Sequence, residues 1–113
     1  MILTIRNIVS IIKAQWVGQN ETAIVDSISI DSRSLQNDEN TLFFALYGPN
    51  HDGHLFIEEL IAKGVSHFVV KKIPEGLELK AKFLIVEDTL EALQKFAAYY
   101  RSLFDFPIIG ITG

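Results

Sequence analysis

Short runs of consecutive apolar residues, separated by polar and glycine-containing segments, constrain the fold of this chain more than any other feature. The runs are Leu42–Leu46, Phe68–Val70, Phe83–Val86 and Ile108–Ile111. Short continuous apolar runs are typical of β-strands that are covered on both faces. The sequence therefore predicts a sheet whose strands are buried between two layers.

A further strand is predicted over residues 24–31, where apolar and polar residues alternate. Ile24, Ile28 and Ile30 form one face of this strand, and the serines and the aspartate between them form a wetter face.

Three segments repeat their apolar residues at the spacing of an α-helix. These are residues 4–16, residues 54–63 and residues 88–104. Gly64 predicts the end of the second helix, and Asp88 begins the third with a sequence like a capping box. Helices interleaved with strands predict a layered α/β domain, with a mixed or parallel sheet of about five strands and three main helices.

Composition excludes several classes of protein. The chain has 113 residues, no cysteine, 49% apolar residues and a net charge of −4. These values argue against a disordered chain and against a disulfide-stapled secreted module. Apolar runs are too short for a membrane span, and an acidic chain is poorly suited to general nucleic-acid binding. We expect a cytoplasmic globular domain with neither a membrane nor a nucleic acid as partner.

Two polar clusters follow predicted strands. The first is Asp31-Ser32-Arg33, and the second is the segment Gly48–His54. Ligands of layered α/β sheets usually bind beyond the carboxyl ends of strands. If the two preceding strands are neighbours, the clusters face one another.

Each cluster has a binding interpretation and an ordinary one. Arg33 can pair with a phosphate, and the glycines and first helical turn after Gly48 can present amides to one. Alternatively, Asp52 is the N-cap of the helix, and Ser32 only ends a strand through local hydrogen bonds. From spacing alone, the ordinary interpretation is favoured for both clusters.

Catalytic and metal-binding interpretations have less support. His51 and His54 are three residues apart, but His67 lies in a predicted strand and no further ligand has suitable spacing for zinc. No serine lies in a nucleophile elbow. We expect no metal site in this chain and no free-standing enzyme.

In combination, the motifs are more specific than each one alone. Their order is Asp31-Ser32-Arg33, Leu42-Phe43-Phe44-Ala45-Leu46-x-Gly48, Asn50-His51-Asp52-Gly53-His54-x-Phe56-Ile57, Gly64-Val65, Val86-Glu87-Asp88-Thr89-Leu90-x-Ala92-Leu93 and Pro107-Ile108-Ile109-Gly110-Ile111-Thr112-Gly113. This series resembles the N-terminal domain of the Mur ligases, the ATP-dependent amino-acid-adding enzymes of peptidoglycan synthesis. It departs from the family pattern at His51, where an aromatic residue is expected, and at Val65, where alanine is commoner.

The resemblance implies that the domain binds the UDP moiety of a UDP-MurNAc-peptide and performs no catalysis itself. It implies a substrate-binding role for Ser32, Arg33, Ala45, Gly48, Asn50, His51, Asp52, Gly53 and His54. The motifs most resemble the ligases that add D-alanyl-D-alanine to the tripeptide. Ligases that add the third residue, and a non-catalytic interaction module, remain as alternatives.

The resemblance also bears on the end of the sequence. In the family, a strand like residues 107–113 leads into a phosphate loop that holds ATP and Mg²⁺, whose lysine this sequence lacks. We therefore expect a binding domain over residues 1–106 and the first strand of an ATPase domain, or the joint leading to it, over residues 107–113. ATP, Mg²⁺ and the remaining ligase domains would belong to a longer, full-length enzyme, and the fragment itself would be inactive.

Overall fold

A computed structural model describes residues 3–18, 22–30, 40–48 and 51–102. Within these ranges the secondary structure elements are, in chain order, β1 (Leu3–Thr4), α1 (Ile5–Ile12), β2 (Gln15–Val17), β3 (Ile24–Val25), β4 (Ser27–Ser29), β5 (Thr41–Phe44), β6 (Tyr47–Gly48), β7 (His51–Asp52), a 3-10 helix (Gly53–Phe56), α2 (Ile57–Ala62), β8 (His67–Val70), β9 (Lys82–Ile85) and α3 (Thr89–Ser102). The strand predicted over 108–111 lies outside the described residues.

A five-stranded sheet forms the centre of the fold, in the order β2-β9-β8-β5-β4. Strands β4, β5, β8 and β9 run parallel to one another, and β2 pairs with β9 in the antiparallel direction. This mixed sheet, with its three α-helices, confirms the predicted fold class. Two small sheets, β1 with β3 and β6 with β7, lie beside it.

Both faces of the sheet are covered, as the apolar runs predict. Side chains alternate along a strand, so Leu42 and Phe44 of β5 point to the opposite face from Phe43 and Ala45. The first pair joins a core with α1 and α3, and the second pair joins a core with α2. All four residues are at most 1% exposed.

The first helix is shorter than the sequence predicts. Helix α1 ends at Ile12 because its C-cap, Lys13, adopts the left-handed conformation with φ of 55°. Trp16, predicted as the last residue of the helix, instead lies in β2 and pairs with Leu84 of β9. Strand β2 is therefore an edge strand of the sheet that the helical spacing of residues 4–16 did not predict.

The segment predicted as one strand over residues 24–31 is interrupted at Asp26. Strand β3 pairs with β1, whereas β4 pairs with β5, so the two halves belong to different sheets. The predicted apolar face is also wrong in part, because Ile24 and Ile30 are 49% and 45% exposed while Val25 is fully buried. Burial follows pairing here rather than simple alternation.

The other two helices agree well with their predictions. The second begins with the 3-10 helix and continues as α2, and Gly64, with φ of 104°, follows its C-cap. The third begins after Asp88, whose carboxylate accepts hydrogen bonds from the amides of Leu90 (2.9 Å) and Glu91 (3.1 Å). In the part of the chain that the structure describes, no helix is long and apolar enough to cross a membrane.

Candidate functional site

The carboxyl ends of the four parallel strands lie at one edge of the sheet. Strands β4 and β5 are direct neighbours, with Ser29 opposite Phe43, so the segments that follow them start side by side. The strands that precede the two polar clusters are therefore neighbours, which is the condition for the clusters to face one another. Ser32, Arg33 and Asn50 themselves lie outside the described residues.

The segment after β5 forms a small hairpin at this edge. Tyr47 pairs with Asp52 and Gly48 pairs with His51, so strands β6 and β7 have two residues each. Ala45, which precedes the hairpin, is fully buried, and its amide donates a hydrogen bond to the carbonyl of Val69 (2.9 Å). The predicted site residues from Ala45 to His54 thus surround and include one hairpin.

Gly53 closes the base of the hairpin. Its amide donates to the carbonyl of Leu46 at 2.7 Å. A Cβ atom on Gly53 would lie 3.0 Å from the Cα of Ala45 and 3.0 Å from the nitrogen of Leu46, both backbone atoms. A side chain at this position would therefore collide with the chain's own backbone, which explains why a glycine is found here.

Asp52 is the N-cap of the 3-10 helix, which agrees with the ordinary interpretation of this residue. One oxygen, Oδ1, accepts a hydrogen bond from the amide of His54 at 2.9 Å and contacts the Nδ1 of the same residue at 2.7 Å. The amides of Gly53 and His54 are therefore already engaged within the protein. Any amides offered to a phosphate come from other positions in this segment.

His54 joins the hairpin to the end of β8. Its Nε2 accepts a hydrogen bond from the amide of Lys71 at 3.0 Å, so the proton of the neutral ring is assigned to Nδ1, where it donates to Asp52. The His54 side chain is 14% exposed. The ring is consequently fixed at both nitrogens.

A depression of about 850 Å³ lies between the hairpin and the segment after β8. Tyr47, Leu55 and Pro74 contribute apolar surface, and Lys71 and Lys72 contribute positive charge. The ammonium of Lys71 lies 6.0 Å from the centre of the Tyr47 ring, at the limit of a cation–π contact. Asp52, Glu75 and Glu78 line the same depression, so its surface combines apolar groups with charges of both signs beside the predicted site.

Sequence reasoning did not single out Tyr47, Lys71 and Lys72. A usable signal was present, because the two lysines directly follow a buried parallel strand, at the position where ligand-binding residues of such sheets lie. Elsewhere in the described ranges, no group of three His, Cys, Asp or Glu residues has the geometry to hold a metal ion.

Comparison with known proteins agrees with the fold and with the motifs. The family model described as "Mur ligase family, catalytic domain" matches residues 24–101. The chain belongs to the Mur ligase family. It is 44% identical over 95 residues to the UDP-N-acetylmuramoyl-tripeptide–D-alanyl-D-alanine ligase of Synechocystis sp., an alignment that covers 83% of this chain and 20% of that enzyme.

Two further relatives differ in their named amino-acid substrate. The UDP-N-acetylmuramoyl-L-alanyl-D-glutamate–2,6-diaminopimelate ligase of Parabacteroides distasonis is 26% identical over 113 residues, covering 98% of this chain and 23% of that enzyme. Among solved structures, the D-alanyl-D-alanyl ligase of Acinetobacter baumannii superposes with a TM-score of 0.80 at 25% identity, covering 91% of this chain and 22% of that one. The chain spans less than a quarter of the length of each of these relatives.

Proposed function

We propose that this chain is the N-terminal, UDP-precursor-binding domain of a Mur ligase that adds D-alanyl-D-alanine to UDP-MurNAc-tripeptide. The observation that carries the proposal is the adjacency of β4 and β5, because the two polar clusters follow these strands at one edge of the sheet. The 44% identity to a ligase named for the same reaction supports this choice of substrate.

The role of the domain in this proposal is to bind the substrate far from the reacting carboxylate. Ser32 offers a hydroxyl and Arg33 a fork of donors to the UDP moiety, and the segment Ala45–His54 supplies further substrate contacts. Binding energy from the UDP end then helps to position the distant carboxylate for reaction. ATP and Mg²⁺ supply activation of that carboxylate and belong to the rest of the ligase.

The domain organisation is part of the same proposal. Residues 1–106 form the binding domain, and residues 107–113 begin the ATPase domain or lead to it. The remaining ligase domains, in the same full-length chain, complete the enzyme. The isolated chain would then be inactive and cytoplasmic.

A second candidate, a ligase that adds the third residue of the peptide, has the support of the diaminopimelate ligase among the relatives. Assay of the complete ligase with D-alanyl-D-alanine, diaminopimelate and lysine separates the two.

Substitution of Arg33 tests the binding role. In the complete ligase, we expect Arg33→Ala to raise the KM for UDP-MurNAc-tripeptide by about tenfold or more, since a charge-assisted hydrogen bond contributes about 1.5–3 kcal/mol. The KM for ATP should change little. Arg101→Ala, on the exposed surface of α3, is the matched control. An unchanged KM for UDP-MurNAc-tripeptide in Arg33→Ala would refute the proposed role.

Nuclear magnetic resonance tests the location of the site on the chain itself. Titration of the ¹⁵N-labelled chain with UDP-MurNAc-tripeptide should shift the signals of residues 32–33 and 45–54 and leave those of α3 unchanged. ATP is the control ligand, and submicromolar ATP binding by residues 1–113 would contradict the proposal.

A further inference from the structure

The hairpin of β6 and β7 is too small to hold its own orientation. Each strand has two residues, and even longer isolated two-stranded hairpins are only marginally stable in water. Its base is closed by the hydrogen bond from the Gly53 amide to the Leu46 carbonyl. That bond fixes where the hairpin starts but not its angle to the sheet, so contacts with a neighbouring element must set this angle.

Lys71, at the end of β8, supplies two such contacts. Its backbone amide donates to the Nε2 of His54, and the Nδ1 of His54 in turn contacts Asp52 on β7. Its ammonium lies over the ring of Tyr47 on β6. The single residue that directly follows β8 is thereby linked to both strands of the hairpin, to β7 through His54 and to β6 directly.

We propose that His54 is a positioning residue that orients the hairpin by linking Asp52 to the backbone of Lys71. Both ring nitrogens are used, and the link joins residues that are 17 positions apart in the chain. The link acts only when the ring is neutral with its proton on Nδ1, because Nε2 must accept. That the oriented hairpin then binds the UDP substrate rests on the proposed function; the orientation itself does not.

The state of the ring can be measured directly. Long-range ¹H–¹⁵N spectra of the labelled chain distinguish a protonated from an unprotonated ring nitrogen, and we expect His54 to be protonated at Nδ1 alone. The Lys71 amide should exchange slowly with solvent, although Lys71 itself is exposed. A ring protonated at Nε2 alone, or rapid exchange of the Lys71 amide, would overturn the proposal.

Two substitutions separate the link to Lys71 from the contact with Asp52. His54→Asn retains a donor near the position of Nδ1 but does not reach Lys71, whereas His54→Gln places an acceptor near the position of Nε2. We expect His54→Asn to speed exchange of the Lys71 amide and to shift the signals of residues 47–52, and His54→Gln to restore much of both. Glu75→Gln, which borders the same depression, is the control. Equal behaviour of the Asn and Gln variants would contradict the link.

Kinetics of the complete ligase test the consequence for binding. His54→Asn should raise the KM for UDP-MurNAc-tripeptide about three- to tenfold, the worth of one hydrogen bond, with kcat nearly unchanged. His54→Gln should lie within about twofold of the wild type. An unchanged KM in His54→Asn, where Arg33→Ala does raise it, would overturn the positioning role and leave the proposed function standing. If Arg33→Ala has no effect, the proposed function fails, and the exchange of the Lys71 amide still decides whether His54 orients the hairpin.

Discussion

His67 lies in β8 with its imidazole almost fully enclosed. Its Nδ1 is 3.2 Å from the hydroxyl of Ser66, which agrees with the prediction of a strand residue, but its buried Nε2 has no partner among the described residues. Burial, and to a smaller extent the positive charge of Lys82 on the adjacent strand, lowers the pKa of His67 from 6.5 to about 4. The ring is therefore neutral at pH 7.

This burial predicts a loss of stability in mild acid. The pKa of His67 is lower in the folded chain than in the unfolded chain, so the unfolded chain takes up the proton first as the pH falls below 6.5. The penalty grows until about pH 4 and amounts to roughly 2–3 kcal/mol between pH 7.5 and 4.5. Over this pH range, we expect the free energy of unfolding of His67→Leu to fall by roughly 2–3 kcal/mol less than that of the wild type, measured by urea denaturation. An equal loss in both chains would show that His67 does not carry the effect.

At the scale of the element, Asp88 shows how one residue decides where α3 begins. Its carboxylate accepts hydrogen bonds from two amides of the first turn that have no partner within the helix. The rest of the predicted capping motif has another role, because Glu91 forms an ion pair with Lys95 at 3.2 Å on the exposed side of the helix. Helix α3 packs against α1 on one face of the sheet, so fraying of its first turn would loosen that core.

We predict that Asp88→Ala lowers the free energy of unfolding by about 1 kcal/mol, because two amides lose their acceptor. Asp88→Ser should restore most of the loss, since serine is also a good N-cap. The measurement is urea denaturation followed by circular dichroism. Glu87→Ala, at the exposed residue before Asp88, is the control. If Glu87→Ala lowered the free energy of unfolding as much as Asp88→Ala, the effect would not be specific to the cap.

At the scale of the whole molecule, the sheet separates two cores. Ile8 belongs to the core with α1 and α3, Ile57 belongs to the core with α2, and both are fully buried. Within the second core, Phe68 stacks on Phe83 with ring centres 5.8 Å apart. Residues on opposite faces of the sheet share no packing surface, whereas the two phenylalanines do.

Double substitutions should reveal this division. Ile8→Val and Ile57→Val should each cost about 0.5–1.5 kcal/mol, and the double variant should equal their sum within about 0.5 kcal/mol. Phe68→Leu with Phe83→Leu should depart from additivity by more than that, because each ring is the other's neighbour. Urea denaturation of the six variants checks both expectations. Strong coupling between Ile8 and Ile57 would contradict the two-core description.

Most of the fold could be predicted from the sequence, and the errors have a common cause. The runs at β5, β8 and β9 were correct because burial on both faces leaves an apolar residue at every position. The predictions for Trp16 and Ile24 were wrong. The spacing of Trp16 fits the end of the first helix and that of Ile24 fits one face of a strand, and neither spacing depends on which strand the residue pairs with. Pairing with β9 and with β1 decided their places, and spacing along the chain carries no information about such partners.

The candidate site was predictable in its location and less so in its construction. Position after a strand end correctly located the segment Gly48–His54 at the carboxyl edge of the sheet, beside the end of β4. The hydrogen bond between His54 and Lys71 was not predictable, because it joins segments that come together only when β5 and β8 pair. The substrate-binding roles of all the predicted site residues, from Ser32 and Arg33 to the segment Ala45–His54, remain predictions from resemblance to the Mur ligases.

The sequence by itself determined the class of fold, the buried strands and the family motifs, since each of these depends on residues that are close together along the chain. Only the tertiary structure decided which strand takes the edge of the sheet, where residues 24–31 are interrupted, and which groups the two ring nitrogens of His54 contact. These depend on hydrogen bonds between distant segments. Their energies are set by three-dimensional proximity, which local spacing does not encode.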